Sequence, residues 1–196
     1  MNYNAKAKDS FTAKLVLFVF NQVTNQKESF TIEEFKTFEM TEELIETYTK
    51  EYWQAEKDHL INGISVDKIY HQMLHYIALN KELVEVAKAY YVNNVFPALM
   101  PMDSFKLLEN TTKCYYCEIT TEQIVELGNK GKLRKKNLRG WSLEIDRKNP
   151  NLEYFVDNCV MACYWCNNAK TDEFTEEEFK EIAKGIKKVW SNRLSE

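Results

Sequence analysis

The chain has 196 residues, 44% of them apolar and 29% charged, a balance that excludes wholesale disorder. Twenty-six basic and 30 acidic side chains leave a formal charge of −4, so no global basic excess marks a nucleic-acid partner. The sum hides an asymmetry: residues 1–109 hold 11 basic and 16 acidic side chains, residues 110–196 hold 15 and 14.

Five glycines and three prolines are too few for an all-β chain of tight turns and favour helices. The apolar run from Leu15 to Phe20 falls well short of the roughly 20 residues that span a bilayer. Lys6, Lys8 and Lys14 ahead of it imitate the charged start of a signal peptide. Asn21-Gln22-Val23 offers no small-residue cleavage site, so a cytoplasmic protein without a membrane partner is expected. In that compartment five cysteines point to thiolate chemistry or metal and away from disulfides.

Residues 10–92 read as helices. Leu15, Phe18 and Val19 form a first apolar stripe. Thr31 opens a short segment through Phe35 and Phe38, and Thr41 caps a longer one with Leu44, Ile45, Tyr48, Tyr52 and Trp53 on one face. Asn62-Gly63 is expected to close that helix. Val66, Ile69, Tyr70, Met73, Leu74 and Ile77 make the next stripe, followed by Leu83, Val84, Ala87 and Tyr91. Asn93-Asn94 with Pro97 and Pro101 suggest a boundary, giving a helical domain over 1–100 and a second domain over 101–196. His71 and His75 stand at i, i+4. A zinc-protease helix would need Glu where Gln72 is, so they read as ordinary bundle histidines, as does His59.

The chemistry lies in the second half. Cys114-Tyr115-Tyr116-Cys117 and Cys163-Tyr164-Trp165-Cys166 are two CxxC pairs 45 residues apart. Two such knuckles complete a four-thiolate zinc site with Zn–S of about 2.3 Å and no open coordination position, so the zinc would be structural. A redox dithiol or inert buried thiols are the alternatives, and no βαβ pattern favours the first. Cys159 is expected to pack as a small hydrophobe.

Between the knuckles, Thr120-x-x-Gln123 resembles a capping box for a short helix ended by Gly128. Lys130, Lys132, Arg134, Lys135, Lys136 and Arg139 then place six cations in ten positions. They read either as a solvated loop or as an arm contacting nucleic-acid phosphates. Trp141 to Arg147 alternates like a strand, with Leu143 and Ile145 inward and Glu144 and Asp146 on the other face. Asn158 to Ala162 reads as a second strand running into the knuckle. Thr175-x-x-Glu178 caps a last helix with Phe179, Ile182, Ile186, Val189 and Trp190 as its apolar stripe. The fold class expected is α+β and mostly α: a helical bundle followed by a zinc-stapled module and a C-terminal helix.

The order CxxC, Leu-Glu-Ile-Asp-Arg, Asp157-Asn158 and Ala-Cys-x-x-Cys-Asn-x-x-Lys-Thr resembles the zinc-stapled HNH (ββα-metal) endonucleases, over about residues 112–175. The resemblance implies a ββα-metal fold and a site holding a catalytic divalent cation, Mg²⁺ or Mn²⁺. By it, Asp146 and Asn167 fall on the family's cation ligands, and Asn158 on the asparagine that orients the loop carrying the general base. The family's base is a histidine directly after that aspartate, and here it is Arg147, which stays protonated and cannot accept a proton. No histidine follows His75. Glu144, Asp157 and Tyr154 are the remaining candidate bases, and Arg147 itself suits a phosphate clamp.

The expectation is a metal-dependent endonuclease hydrolysing DNA phosphodiesters, with DNA or RNA as partner and the helical domain offered to a protein partner. The competing expectations are a zinc-stabilised nucleic-acid-binding or adaptor module without activity, and a structural protein whose bundle mediates assembly.

Overall fold

The computed structural model describes residues 2–133 and 139–196, and the chain forms two compact units. One comprises Asn4–Ala98 with Asn151–Glu153; the other comprises Met1–Tyr3, Leu99–Pro150 and Tyr154–Glu196. None of the described helices is long and apolar enough to cross a membrane.

The first unit is built on helix α1 (Tyr3–Thr24). Leu17, Phe18, Val19 and Phe20 are all buried, so this part of the helix is covered all round and its apolar residues need no single stripe, whereas Lys8, Asp9 and Thr12 in the first half are exposed. Phe18 meets Phe30, Phe35 and Phe38 edge-on at 5.0–5.3 Å between ring centres. Such edge-to-face clusters add about 0.5–1.5 kcal/mol per pair beyond area burial. Helix α2 (Ile32–Thr37) opens with a capping box of Thr31 and Glu34, and Thr41 caps α3 (Glu42–Glu46). The chain then continues as π-type helix over Thr47–Trp53. This wider winding carries Trp53 off the expected stripe: Tyr48 and Tyr52 are buried, whereas Trp53 is 67% exposed.

Asn62-Gly63 does not end a helix. It is the two-residue turn of a small hairpin, β1 (Leu60–Ile61) and β2 (Ile64–Ser65), with φ of 50° and 78° at the two turn positions. Asn-Gly favours both readings locally, and the apolar pair on either side decides for the hairpin. Helices α4 (Val66–Leu79) and α5 (Lys81–Tyr90) follow. Asn93-Asn94 lies within a π-type turn, Tyr91–Val95, that joins α5 directly to α6 (Phe96–Leu99), so Pro97 stands inside a continuous helical run just past the wider turn and does not end it.

In the second unit α7 (Met102–Glu109) precedes the first cysteine knuckle, and α8 (Thr121–Asn129) starts at the expected Thr120/Gln123 capping box. Gly128 is inside that helix and does not end it; Gly131, at φ +66°, follows its cap. Gly128 instead admits the Trp141 indole, which would lie 2.4 Å from a Cβ built there. Strands β3 (Glu144–Arg147) and β4 (Cys159–Ala162) pair antiparallel, with Asp146 opposite Val160 and Arg147 opposite Cys159. Helix α9 (Tyr164–Lys170) packs on both strands, completing a ββα unit, and α10 (Glu176–Ser195) closes the chain. Cys159 is buried as expected. On α10 the covered residues are Phe179, Ala183 and Trp190, while Ile182 and Val189 are 41% and 45% exposed. The fold is α+β and mostly α, as the sequence indicates.

One buried polar chain in the first unit has a measurable consequence. Ser10 Oγ lies 2.7 Å from the Tyr91 hydroxyl, which donates to Glu153 Oε1. Burial pushes the Glu153 carboxyl above its ordinary value, and the Tyr91 hydrogen bond and the Lys14 charge draw it only part of the way back. A carboxyl raised on folding contributes stability that is whole below pH 4.5 and is lost as pH rises through the folded-state value. Glu153→Gln is therefore expected to melt higher than the parent at neutral pH, and the gain should vanish in melts below pH 4.5. An equal loss of melting temperature at both pH values would contradict it.

Candidate metal centre and its neighbours

The first knuckle is a short hairpin closed by a Lys113–Thr120 bridge, with the Cys114 N–H donating to the Ile119 carbonyl at 2.9 Å. Glu118 turns it with a left-handed φ of 63°. The Tyr115 N–H donates to the Met161 carbonyl at 2.8 Å, fastening the knuckle to β4. The second knuckle is the start of α9, where Cys163 is the N-cap and its Sγ accepts from the Cys166 N–H at 3.4 Å. The Cys163 N–H donates to Cys114 Sγ at 3.2 Å, and the Cys117 and Cys163 sulfurs lie 3.6 Å apart.

All four sulfurs fall within 4.8 Å of one another, and all four cysteines are buried. A tetrahedral zinc with bonds of about 2.3 Å needs sulfur–sulfur edges of about 3.8 Å, so the set fits that ion. Without a cation, hydrogen bonds from Cys117 and its neighbours hold the Cys114 thiol far below its ordinary value. Cys163 and Cys166, as the hydrogen-bond partners of Cys114 and Cys117 in a buried cluster, are pushed up. Four thiols in contact cannot all ionise alone; a dication removes the conflict by taking all four as thiolates. The cluster, its hairpin and its helix fit a zinc-stapled HNH module.

The face of β3 opposite Ile145 carries Glu144 and Asp146. Asp146 Oδ2 accepts from the Tyr116 hydroxyl at 2.7 Å and lies 3.7 Å from Lys170 Nζ. Burial raises the Asp146 carboxyl, opposed by the Tyr116 hydrogen bond and the Lys170 charge. The Tyr116 phenol, buried and donating to a carboxylate, is held far above its usual range. Lys170 is fully buried and also donates to the Arg147 carbonyl at 2.9 Å, so one ammonium secures two consecutive residues of β3. Neither Tyr116 nor Lys170 had a role in the sequence reading. Lys170 carried a signal, its place in Cys-Asn-x-x-Lys, whereas Tyr116 carried none.

Asn167, one residue past Cys166, donates from Nδ2 to Glu144 Oε2 at 2.7 Å. Arg139 grips the same carboxylate through Nε at 3.2 Å and Nη2 at 2.8 and 2.9 Å. Asn158 is buried and does different work. Its Oδ1 accepts from the Asn149 N–H at 2.9 Å and its Nδ2 donates to the Asn149 carbonyl at 3.1 Å, pinning the turn after β3. The Arg147 guanidinium lies 4.8 Å from the Tyr154 ring centre, and Asp157 is exposed on the 3-10 turn Val156–Asn158.

Among the described residues the four cysteines are the one group of three or more His, Cys, Asp or Glu at metal-holding distance. Asp146 and Asn167 fit a second, hard cation in donor chemistry, and water and phosphate would have to complete its shell.

Of the six expected phosphate contacts, Arg134, Lys135 and Lys136 lie outside the described residues. Lys130 pairs with Glu126 at 2.9 Å. Lys132 donates to the Arg193 carbonyl at 3.1 Å and pairs with Glu196 at 3.3 Å, satisfying the end of α10. Arg139 is held by Glu144. The three described cations thus have intramolecular partners. His71 and His75 are exposed on α4.

No protein-family model matches the chain, and no curated protein does. A solved structure, that of the rare-cutting HNH restriction endonuclease PacI, is similar at 21% identity and a TM-score of 0.36, over 71% of this chain and 90% of that one. At that score the likeness carries no weight, and the chemistry rests on the residues themselves.

The cysteine cluster predicts that Cys163→Ser loses both zinc and cooperative folding of the second unit, a cost on the order of several kcal/mol because metal binding and folding share one free energy. Elemental analysis and a thermal melt followed by circular dichroism test it. A Cys163→Ser protein that melts like the parent would contradict it.

Proposed function

We propose that the protein is a zinc-stabilised, divalent-cation-dependent endonuclease of HNH type that hydrolyses DNA phosphodiester bonds. The observation that carries this reading is the placement of Asp146, on β3, and Asn167, on the first turns of α9, beside a four-thiol cluster that braces both elements. Structural zinc sits on Cys114, Cys117, Cys163 and Cys166, and the oxygens of Asp146 and Asn167 hold the second cation, Mg²⁺ or Mn²⁺. Thiolates suit the first ion and hard oxygen donors the second, so the sites do not compete. Bound there, the second cation supplies polarisation of the scissile phosphate and charge stabilisation of the leaving oxygen.

The protein's own groups do the rest. Lys170 and Tyr116 hold Asp146 in one orientation. Asn158 fixes the turn that follows Arg147. Arg147 is the phosphate clamp, a role its permanent charge suits and general-base catalysis does not. With Glu144 engaged by Arg139 and Asn167, Asp157 is the carboxylate left among the candidate bases.

A second reading, a nucleic-acid-binding module without activity, is favoured by Arg147 in place of a base and by the absence of histidine after His75. Incubation of supercoiled plasmid with the protein and Mg²⁺ or Mn²⁺, with an EDTA control, separates the two. Cleavage is expected, and Asp146→Ala should slow it about 100-fold or more while leaving zinc content intact. Arg147→His should lower activity if the guanidinium clamps phosphate. Cation-independent DNA binding without cutting in any variant would overturn the nuclease reading in favour of the binding module.

A further inference from the structure

Glu144 entered the sequence reading as a candidate base, yet its surroundings describe another task. Both of its oxygens accept from Arg139 Nη2, at 2.8 and 2.9 Å, and Oε2 also accepts from Asn167 Nδ2 at 2.7 Å. A carboxylate that accepts on both oxygens has no proton to give, so it can face only a donor. The two ends of an asparagine amide are nearly equal in shape and opposite in chemistry, and the surrounding hydrogen bonds decide which end points where. Glu144 therefore admits Nδ2 and rejects Oδ1. Among the described residues no donor takes up Asn167 Oδ1, which is left on the side of the amide away from Glu144.

We propose that Glu144 is a positioning residue: clamped by Arg139, it locks the Asn167 amide with its nitrogen toward β3 and its oxygen free to ligate the catalytic cation. This deepens the nuclease reading and rests on Asn167 being a ligand. An amide nitrogen cannot bind a hard cation, so a flipped Asn167 is an empty coordination position. The apparent affinity for the cation scales with the fraction of molecules holding the competent orientation. Groups that orient a ligand in this way are worth about 10- to 100-fold in metal affinity.

The test uses the full, zinc-loaded chain and Mn²⁺ as probe, with binding followed by electron paramagnetic resonance. Glu144→Gln replaces an obligate acceptor with a group that can also donate, so either end of the Asn167 amide can face it. Mn²⁺ affinity is expected to fall about tenfold, while zinc content and melting stay with the parent, Glu144 being 25% exposed at the side chain. In cleavage assays the Mn²⁺ concentration for half-maximal rate should rise, with the rate at saturating Mn²⁺ near that of the parent.

Removing the charge of Glu144 is a rival explanation, and Asn167→Asp separates the two. A carboxylate at 167 offers oxygen on both sides and needs no orienting. In that background Glu144→Gln should leave Mn²⁺ affinity unchanged or improve it. A loss of equal size in both backgrounds overturns the positioning role, as does an unchanged affinity of Glu144→Gln in the parent background. Asn167→Ala tells these failures from failure of the underlying reading. If it binds Mn²⁺ like the parent, Asn167 is no ligand and both fall. If it binds weakly while Glu144→Gln does not, the positioning role alone falls.

Discussion

Convergence of four sulfurs from two segments 45 residues apart is the constraint on which the second unit depends. Its secondary structure is sparse, two four-residue strands with helices around them, and a hairpin of that size is marginal by itself in water. The cluster supplies what the small core lacks. It joins the knuckle at Cys114–Cys117 to the beginning of α9, and the Tyr115 N–H carries the same knuckle onto β4. Closing a long loop through a metal removes much of the entropy the unfolded chain would keep.

The same frame determines where the oxygen donors stand. Tyr116 lies between Cys114 and Cys117 and reaches Asp146 directly, so the position of the first knuckle is transmitted to the carboxylate through one hydrogen bond. Asn167 follows Cys166 without an intervening residue, so the second knuckle sets its place on α9. Each acidic group on the face of β3 opposite Ile145 has its own cation: Lys170 beside Asp146 and Arg139 on Glu144. Lys170, buried and shared between Asp146 and the Arg147 carbonyl, also ties α9 to the strand, so truncating it would take a donor from the Arg147 carbonyl and leave Asp146 with the Tyr116 hydroxyl but without its neighbouring cation.

What the sequence disclosed was what depends on short spacing. CxxC pairs, the alternation around Asp146, the helix start at Thr31 and the capping boxes at Thr120 and Thr175 are local patterns with local causes, and all appear in the structure. Asn62-Gly63 was misread because the same dipeptide ends helices and turns hairpins. Trp53, Ile182 and Val189 were placed on buried stripes because period alone does not say which side of a helix a neighbour covers. Gly128 looked like a helix terminator, and only the Trp141 ring lying against it gives the residue its reason. In the site, the long-range partnerships were illegible: nothing at Tyr116 announces Asp146, and nothing at Glu144 announces Asn167. These pairings are set by the register of β3 with β4 and by the packing of α9, which emerge only when the chain is folded.

The central claim is that four thiolates and no oxygen hold a structural zinc, leaving the carboxylate and amide oxygens of the ββα face to a different ion. Zinc-edge X-ray absorption on the purified protein tests it most directly. The account predicts a first shell of four sulfurs at about 2.3 Å, unchanged by Asp146→Ala. A shell containing oxygen or nitrogen, or one that changes when Asp146 is removed, would contradict it.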